Sequence, residues 1–387
     1  MPKISELVST GIKGLWGTET VSAECGIPVI KTNNLSYEGV IDYTDICYRD
    51  IPKDKAEKNY LQNGDILAEK SGGTKTHSVG YVSYFDGESN KFVCNNFILA
   101  LRPNSEKCLS KYLFYQMRYM YENGLFADCY NRTTGIQNLQ VSEYLGKNVK
   151  NPTIEEQEQA VSMLDAIVSQ INNAKQRILA LDELVKSRFI EMFGKYFEDK
   201  SRLVKISTLA TAAIGLTYKP ENVSEEGTIV LRSGNIQKAE LYLEKDIVRV
   251  ANIKIKDDKY VRESDILMCS RNGSAKLVGK CCRIPKLDEP MTYGAFMTVI
   301  RSIYPYFLNG FFNSTYFTQQ LTGTQTASVN QITTGMLNNY DVICPTKDEE
   351  NEFAEFVKLI DKSKFIVQQQ IKDLEELLDS KMDEYFR

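Results

Sequence analysis

The stretch PTIEEQEQAVSMLDAIVSQINNAKQRILALDELVKSRFIEMF (residues 152–193) decides the fold, because it predicts one long helix with a continuous apolar seam. Apolar side chains recur at alternating spacings of three and four, and no proline or glycine follows Pro152 within the stretch. This heptad-like pattern is typical of a helix that packs against a second helix. Threonine after the proline, followed by two glutamates, indicates where the helix begins.

A second stretch, PTKDEENEFAEFVKLIDKSKFIVQQQIKDLEELLDSKMDEYF (residues 345–386), follows the same pattern at a constant offset of 193 residues. The two runs are predicted to pair as antiparallel helices. Arg188, Lys364 and Lys381 break the apolar pattern, and we expect both lysines to face acidic side chains across the pair. The predicted seam consists of Leu164, Ile167, Ile171, Ile178, Leu181, Val185, Val357, Ile360, Val367, Ile371, Leu374 and Leu378.

The doubling extends beyond the helices. Val29-Ile-Lys-Thr-Asn-Asn-Leu35, Gly64-Asp-Ile-Leu67 and Arg132-Thr-Thr-Gly-Ile136 reappear in order as Val230-Leu-Arg-Ser-Gly-Asn-Ile236, Ser264-Asp-Ile-Leu267 and Ile332-Thr-Thr-Gly-Met336. Short β-branched and aromatic runs between turn residues predict mixed α/β heads around these motifs. We therefore predict an α+β fold with a pseudo-two-fold internal repeat, in which two similar heads are separated by a long antiparallel two-helix coiled coil. The predicted segments are residues 1–151, 152–200, 201–344 and 345–387.

Composition excludes several classes of protein. Hydrophobic residues make up 42% and charged residues 25%, which are ordinary globular values. No apolar stretch reaches the ~18 residues that span a bilayer, and residues 1–6 lack the apolar core of a secretory signal, so we expect a cytoplasmic protein without membrane contact. His77 is the only histidine and no cysteines are spaced as C-x-x-C, which argues against a metal site. Adjacent Cys281 and Cys282 are predicted to be core thiols.

Charge is unevenly distributed along the chain. The net charge is −4 overall, but residues 202–345 carry +4, residues 1–152 are neutral, and the two helical runs hold the excess acid. If the helices pair antiparallel, the heads lie at opposite ends of a ruler roughly 60 Å long at ~1.5 Å per residue. That length corresponds to one or two turns of B-DNA. The geometry suits a molecule that reads two half-sites separated by a gap.

Three pairs of polar loops carry suitable chemistry for DNA: the first at residues 31–34 and 232–235, the second at residues 69–77 and 270–276, and the third at residues 131–135 and 330–335. Glycines allow close approach of the backbone, while lysine, arginine, serine and threonine donate to phosphates. Arginine also pairs with guanine, and asparagine with adenine. Such clusters between strands are more often simple turns. Residues that are identical in the two heads are assigned to the scaffold, because heads that read different DNA sequences should differ in their base contacts. Residues that differ between the heads are assigned to base reading. The candidate DNA-binding residues are Lys31, Asn33, Asn34, Lys70, Ser71, Thr74, Lys75, Thr76, Arg132, Arg232, Asn235, Arg271, Asn272, Ser274 and Lys276.

This doubled order resembles the specificity (S) subunit of type I restriction-modification systems. Pro152-Thr-Ile-Glu-Glu-Gln157 and Lys186-Ser-Arg-Phe-Ile-Glu-Met-Phe193 look like the central conserved region of that family, and Pro345-Thr-Lys-Asp-Glu-Glu350 like its C-terminal counterpart, with Glu350 in the place of Gln157. The resemblance implies recognition of an asymmetric bipartite site on double-stranded DNA. It also implies docking of two adenine methyltransferase subunits, and of restriction subunits where they exist. S-adenosylmethionine, together with ATP and Mg²⁺, then binds the partner subunits, and this chain binds no cofactor.

Two alternatives come from other classes of function. Asp65 and Glu69-Lys70 loosely resemble a nuclease motif, which would make the chain a metal-dependent nuclease. The paired helices alone would fit a coiled-coil interaction scaffold that does not bind DNA. No Asn-Pro-Pro-Tyr methyltransferase motif and no phosphate-binding Gly-x-x-x-x-Gly-Lys-(Ser/Thr) loop is present in the sequence, so we expect no catalytic residues.

Overall fold

The structure is a computed structural model that describes residues 1–9, 11–20, 26–74, 77–133, 136–322 and 330–387. Lys75, Thr76 and part of the first Thr-Thr-Gly motif therefore lie outside the described residues. The chain divides into two compact units, Met1–Asn173 with Gln370–Arg387, and Ala174–Gln369. The division falls inside both long helical runs, so each unit contains one head and a stretch of each run. The bounds of the four segments, as given from the sequence, stay a prediction.

Among its described residues, the first head contains short strands and four α-helices. Its helices are α1 (Ile4–Leu7), α2 (Lys53–Glu57), α3 (Ser110–Glu122) and α4 (Val141–Leu145). Its strands are β1 (Val8–Ser9), β2 (Thr18–Glu19), β3 (Ile27–Ile30), β4 (Cys47–Asp50), β5 (Ile66–Glu69), β6 (Ser71–Gly72), β7 (Val82–Tyr84), β8 (Val93–Cys94), β9 (Ile98–Pro103), β10 (Tyr130–Thr133) and β11 (Ile136–Leu139).

The long helix α5 (Ile154–Glu198) leads into the second head. The helices of this head are α6 (Ile206–Leu209), α7 (Pro305–Phe312), α8 (Thr315–Thr322) and α9 (Thr334–Asn339), and α10 (Lys347–Phe386) follows it. Its strands are β12 (Leu203–Lys205), β13 (Ala210–Ile214), β14 (Val223–Ser224), β15 (Thr228–Leu231), β16 (Ile236–Gln237), β17 (Glu240–Leu241), β18 (Arg249–Val250), β19 (Ile266–Cys269), β20 (Cys281–Arg283), β21 (Met291–Tyr293), β22 (Met297–Ser302) and β23 (Asp341–Ile343).

The two heads have the same order of strands in their corresponding sheets. The first head contains the sheets β1-β9-β5-β7 and β2-β4-β3-β8, and the second contains β13-β22-β19-β20 and β14-β18-β15-β21 in corresponding places. The one parallel pair in each second sheet, β3 with β8 and β15 with β21, also corresponds. The two heads are therefore similar mixed α/β folds, as the duplicated motifs predict.

The Asp-Ile-Leu motifs recur because each begins a strand that is buried on both faces. In β5, Ile66 packs into the core beneath α3 while Leu67 packs into a second core on the opposite face. In β19, Ile266 and Leu267 divide between two cores in the same way. A strand covered on both sides must be apolar at consecutive positions. Both thiols of Cys281 and Cys282 are buried in β20, as predicted.

Both long helices begin where the sequence predicts. The Thr153 hydroxyl accepts from the Glu156 N–H at 3.3 Å, and the Glu156 carboxylate accepts from the Thr153 N–H at 2.9 Å. Thr346 and Glu349 repeat this reciprocal pair at 3.2 and 2.7 Å. These capping boxes satisfy backbone N–H groups that a helix leaves unpaired at its start.

Within each unit the two helical stretches are antiparallel, since later residues of α5 contact earlier residues of α10. In the second unit, Asp182 contacts Lys364 and Arg188 contacts Glu352. In the first unit, a cluster of buried side chains joins the start of α5 to the end of α10. Every predicted seam residue is buried or half-buried.

The most buried helical positions shift by one residue where the helices meet the heads. Phe189 and Phe193 are fully buried, whereas Arg188 and Met192, which occupy the next positions of the three-four spacing after Val185, are only half-buried. The rings of Phe189 and Phe193 pack against Phe307 and Phe353, so this stretch of α5 serves the core of the head as well as the helix pair. A heptad pattern counts only the helix–helix contact and therefore misses the shift.

Gln157 and Glu350 play matching parts in the two units. The buried Gln157 side-chain oxygen accepts from the Leu109 N–H at 2.8 Å, at the start of α3. The buried Glu350 carboxylate accepts from the N–H groups of Tyr306 and Phe307, at 2.9 and 2.8 Å, at the start of α7. Burial raises the pKa of Glu350 to about 7, against the effect of these two hydrogen bonds. Each long helix thus caps a helix of its own head.

No helix within the described ranges combines the length and the apolar character needed to cross a bilayer.

Candidate nucleic-acid interface

The first pair of loops is held by a buried asparagine in each head. The Asn34 side-chain oxygen accepts from the Lys31 N–H at 2.8 Å, and the Asn235 oxygen accepts from the Arg232 N–H at 2.9 Å. Their side-chain nitrogens donate to backbone carbonyls further along the chain, of Asp42 and Asp45 in the first head and of Tyr242 in the second. Asn34 is 2% exposed and Asn235 is 0% exposed. These two asparagines shape their loops and present no surface to DNA, in contrast to the expectation from the sequence.

The remaining residues of these loops are accessible. Asn33 is exposed, and Lys31 is half-buried with its ammonium 3.1 Å from the exposed carboxylate of Asp45. The Arg232 guanidinium donates to the Asp246 carbonyl at 3.0 Å. An ion pair this exposed contributes little to stability and is screened by salt, so the Lys31 ammonium can exchange its partner for a phosphate.

In the first head the second and third loops are joined by a short sheet. Strand β6, which contains Ser71, pairs with β11, and β11 pairs with β10, which contains Arg132. The Ser71 hydroxyl donates to the Asn138 side-chain oxygen at 2.8 Å. Lys70 is half-buried and Thr74 is exposed. The structure thus brings two of the three predicted loops together, although the Arg132 side chain lies outside what is described.

In the second head, Asn272 connects all three loops. Its side-chain nitrogen donates to the Ser233 hydroxyl at 3.2 Å in the first loop, and its backbone N–H donates to the Asn330 carbonyl at 3.3 Å in the third. Arg271, Ser274 and Lys276 are exposed around it. The predicted reading residues of this head therefore share one surface.

An exposed phenylalanine lies at the same place in each head, and the sequence patterns did not predict it. Phe97 is 55% exposed in the turn between β8 and β9, and Phe296 is 60% exposed in the turn between β21 and β22. The Phe97 carbonyl accepts from the N–H groups of Lys70 and Ser71, and the Phe296 carbonyl from those of Ser270 and Arg271. A signal was present, because each phenylalanine stands five residues before the arginine of a duplicated Leu-Arg or Ile-Arg pair.

The duplicated aspartates are structural. Asp65 is buried and forms a two-bond ion pair with Arg102, with both N–O distances at 2.8 Å. Asp265 pairs with Arg301, but there a single N–H group, on Nε, donates to both carboxylate oxygens at 3.1 Å. Each aspartate also accepts a backbone N–H from the turn before its strand. An arginine thus neutralises each carboxylate inside its own head, which is a structural use of the charge.

Glu69 does not form a metal site with Asp65. Burial raises the pKa of Glu69, which disfavours the anionic form that a cation would need. Across the described stretches, no group of three His, Cys, Asp or Glu residues is arranged to hold a metal ion. The exposed His77 ring stacks on Tyr37 at 3.9 Å between centroids. The nuclease alternative therefore has no support in this geometry.

The helical stretch of the second unit carries a second kind of surface. Leu359, Phe365 and Ile366 on α10 are more than half exposed, and Leu179 and Leu184 on α5 are close to half exposed. Acidic side chains such as Glu183 and Asp361 accompany them, and both are partly exposed. Large exposed apolar side chains on a helix pair are typical of a protein-docking surface.

Comparisons with known proteins find similarity to one kind of protein. Residues 13–183 match the family model for the type I restriction modification DNA specificity domain. The putative type I restriction enzyme MjaX specificity subunit of Methanocaldococcus jannaschii is 24% identical over 200 residues, covering 51% of this chain and 45% of the relative. The type I restriction enzyme EcoKI specificity subunit of Escherichia coli is 22% identical over 283 residues, covering 68% and 58%. The chain thus spans about half the length of these curated relatives.

A solved structure shows the same fold. The crystal structure of the type I restriction-modification system S subunit from M. genitalium aligns with a TM-score of 0.52 at 13% identity, covering all of this chain and 95% of the other. The predicted fold class, two similar mixed α/β heads with a long two-helix coiled coil, is confirmed.

Proposed function

We propose that this chain is the DNA-specificity subunit of a type I restriction-modification complex, because residues 13–183 match the DNA specificity domain of that family and the curated relatives are specificity subunits of such enzymes. It recognises an asymmetric bipartite site on double-stranded DNA, with one head for each half-site. It is not itself an enzyme, and catalysis belongs to its partner subunits.

One observation supports this proposal above the others. Two heads with the same strand order present polar loops of different sequence at corresponding positions. A shared scaffold with divergent loops is suited to reading two different half-sites, since the scaffold positions the loops and the loops select the bases. Loops of matching sequence would read matching half-sites.

The proposed DNA contacts are the remaining candidates from the sequence, including Lys75, Thr76 and Arg132, whose side chains lie outside what the structure describes. The arginines are suited to guanine and Asn272 to adenine, while the lysines and hydroxyl groups are suited to phosphates. Asn34 and Asn235 are not included, because their side chains are buried. The proposed set is Lys31, Asn33, Lys70, Ser71, Thr74, Lys75, Thr76, Arg132, Arg232, Arg271, Asn272, Ser274 and Lys276.

The proposed partners are two DNA adenine methyltransferase subunits and, in a complete restriction complex, restriction subunits. S-adenosylmethionine, ATP and Mg²⁺ would bind these partners. The exposed apolar face around Phe365 and Ile366 supports docking on the helices. The acidic excess of the helical runs argues against DNA contact there, because like charges repel phosphates.

The test is to co-express the chain with the methyltransferase encoded beside it and to map methylated adenines across the genome. We expect one bipartite motif with a fixed gap. The control is the same methyltransferase without this chain, which we expect to leave the methylome unchanged. An unchanged methylome in the presence of both proteins would contradict the proposal and favour an interaction scaffold that does not bind DNA. A single uninterrupted motif would contradict the two-headed mode of recognition.

A further inference from the structure

Phe97 and Phe296 form the feature of the heads that is least explained by folding. Each ring is more than half exposed, so neither contributes a fully buried side chain to a core. Both phenylalanines lie in turns between corresponding strands of the two heads, and each turn is closed by a backbone hydrogen bond, from the Ile98 N–H to the Asn95 carbonyl and from the Met297 N–H to the Gly294 carbonyl. Leaving a large ring in water forfeits the favourable transfer that burial would bring. The repetition of such a ring indicates a function outside the folded chain.

The turns hold both phenylalanines rigidly beside the candidate reading loops. The Phe97 carbonyl accepts from the Lys70 N–H at 2.7 Å and the Phe97 N–H donates to the Asn95 side-chain oxygen at 3.1 Å. The Phe296 carbonyl accepts from the N–H groups of Ser270 and Arg271 at 3.0 and 3.1 Å. Anchoring by these hydrogen bonds limits the motion of the backbone from which each ring projects.

The same turns also touch the first loop of each head. The Asn95 N–H donates to the Ile30 carbonyl, directly before Lys31, and the Gly294 N–H donates to the Leu231 carbonyl, directly before Arg232. The turn that carries each ring therefore contacts two loops proposed to contact DNA. In the second head, the Arg271 guanidinium lies 5.4 Å from the centroid of the Phe296 ring. Cationic and polar neighbours on both sides match a phosphate-lined groove better than an apolar protein surface.

Because both heads have a phenylalanine at this place, the residue is not suited to distinguishing one DNA sequence from another. Residues that read different half-sites should differ between the heads, as Lys70-Ser71 and Ser270-Arg271 do. A phenylalanine common to both heads suits an interaction that any sequence offers. Every base has an aromatic face on which a ring can stack, and apolar side chains inserted between base steps unstack and kink DNA.

We infer that Phe97 and Phe296 are sequence-independent wedges, each of which stacks against bases at its own half-site and distorts the duplex there. This inference rests on the proposed function. An enzyme that modifies a base must take the base out of the stack, and a duplex that is already distorted gives up a base at lower cost. The two wedges would therefore ease this step for the partner methyltransferase.

The experiment uses the full chain in complex with its methyltransferase, without S-adenosylmethionine, on duplexes that contain the mapped motif. 2-Aminopurine replaces one base at a time in each half-site, and its fluorescence rises when the base is unstacked. We expect wild-type complex to raise the signal at one position in each half. Phe97→Ala should abolish the rise in one half-site only, and Phe296→Ala in the other, each with about tenfold weaker binding, the order of one lost base–aromatic stack.

Controls distinguish a wedge from other contacts. Leu125→Ala and Ile303→Ala remove exposed apolar side chains that follow α3 and β22, and we expect both to leave signal and affinity unchanged. Phe97→Trp should restore the signal that Phe97→Ala loses, since indole also stacks. A Phe97→Ala complex with unchanged fluorescence would overturn the inference. A methylation motif altered at one base would also overturn it, because that result would show that Phe97 recognises a particular base. Wild-type complex that binds no bipartite duplex would overturn the proposed function itself.

Discussion

The Lys364 ammonium lies 2.6 Å from the Asp182 carboxylate across the helix pair of the second unit, and it also contacts Glu240 of the adjoining head. Lys364 is 7% exposed at a seam position where the heptad pattern predicts an apolar residue. The expected acidic partner of this lysine is therefore present. Lys381, by contrast, pairs with Glu384 on its own helix and does not cross the pair.

Lys364→Ala should destabilise the second unit, because it removes a buried cation shared by two carboxylates and leaves both without that partner. We expect a loss of about 1–3 kcal/mol, below the ~3–5 kcal/mol of a fully buried pair, since Asp182 and Glu240 stay partly accessible to water. Denaturant unfolding measures the effect. Lys372→Ala removes an exposed pair with Glu376 and serves as the control, with an expected change within ~0.5 kcal/mol. Equal effects of the two substitutions would contradict a structural role for the seam lysine.

Glu350 should make stability depend on pH. Its folded-state pKa of about 7 lies above the ordinary 4.5, so folding favours the protonated form. Its contribution is fully present below pH ~4.5 and is lost as the pH rises through about 7, by up to ~3 kcal/mol at ~1.4 kcal/mol per pKa unit. Glu350→Gln removes this titration. The difference in unfolding free energy between variant and wild type should therefore change between pH 5 and 7 and level off above 7.

Gln157→Glu is the matched substitution in the first unit, where it should introduce a pH dependence of the same sign, since Gln157 is equally buried at the start of a helix. Parallel stability curves for wild type and Glu350→Gln across this range would show that the carboxyl group is not buried as described.

Gly64 and Ser264 occupy the same position before the two Asp-Ile-Leu strands, and both have positive φ, +98° and +69°. A side chain in the left-handed region costs about 1–2 kcal/mol. Ser264→Gly should therefore stabilise the chain by ~0.5–1 kcal/mol, after the larger entropy loss of glycine is subtracted. Gly64→Ser should destabilise it by ~1 kcal/mol, because the nearest atom to an added Cβ is 3.5 Å away and only the backbone conformation opposes the change. Thermal unfolding of both variants measures the effects, and shifts of the same sign would refute this account.

Arg271→Ala should affect only one half of the DNA site. Arg271 is the exposed arginine of the second-head loop, and loss of a bidentate base contact costs about 1–3 kcal/mol of discrimination. We expect the methylation motif to relax at one position of one half-site, with the other half unchanged. Lys286→Ala removes an exposed lysine after β20, outside the three loops, and should leave the motif unaltered. A uniform loss across all sequences with a weaker salt dependence would instead assign Arg271 to a phosphate.

The accuracy of the sequence-based expectations depended on how local the determining forces were. The starts of α5 and α10 were predictable because a capping box involves residues three apart, as Thr153 and Glu156 show. The exposure of Phe97 was not predicted, because the position of its turn depends on a segment distant in sequence. In that segment the Lys70 N–H donates to the Phe97 carbonyl. Asn34 was misjudged for a similar reason, since its side chain is satisfied by carbonyls of residues 42 and 45.

The sequence alone determined the doubled architecture, the apolar seam and the duplicated Asp-Ile-Leu motifs, because periodicity and duplicated motifs are properties of residue order. Only the tertiary structure decided which polar residues face solvent. Asp65 and Asn235 are as hydrophilic as Arg271 and Ser274, yet the first two are buried by partners brought from elsewhere in the chain and the last two are not. Whether a polar side chain is available to DNA depends on whether folding has already satisfied its hydrogen bonds.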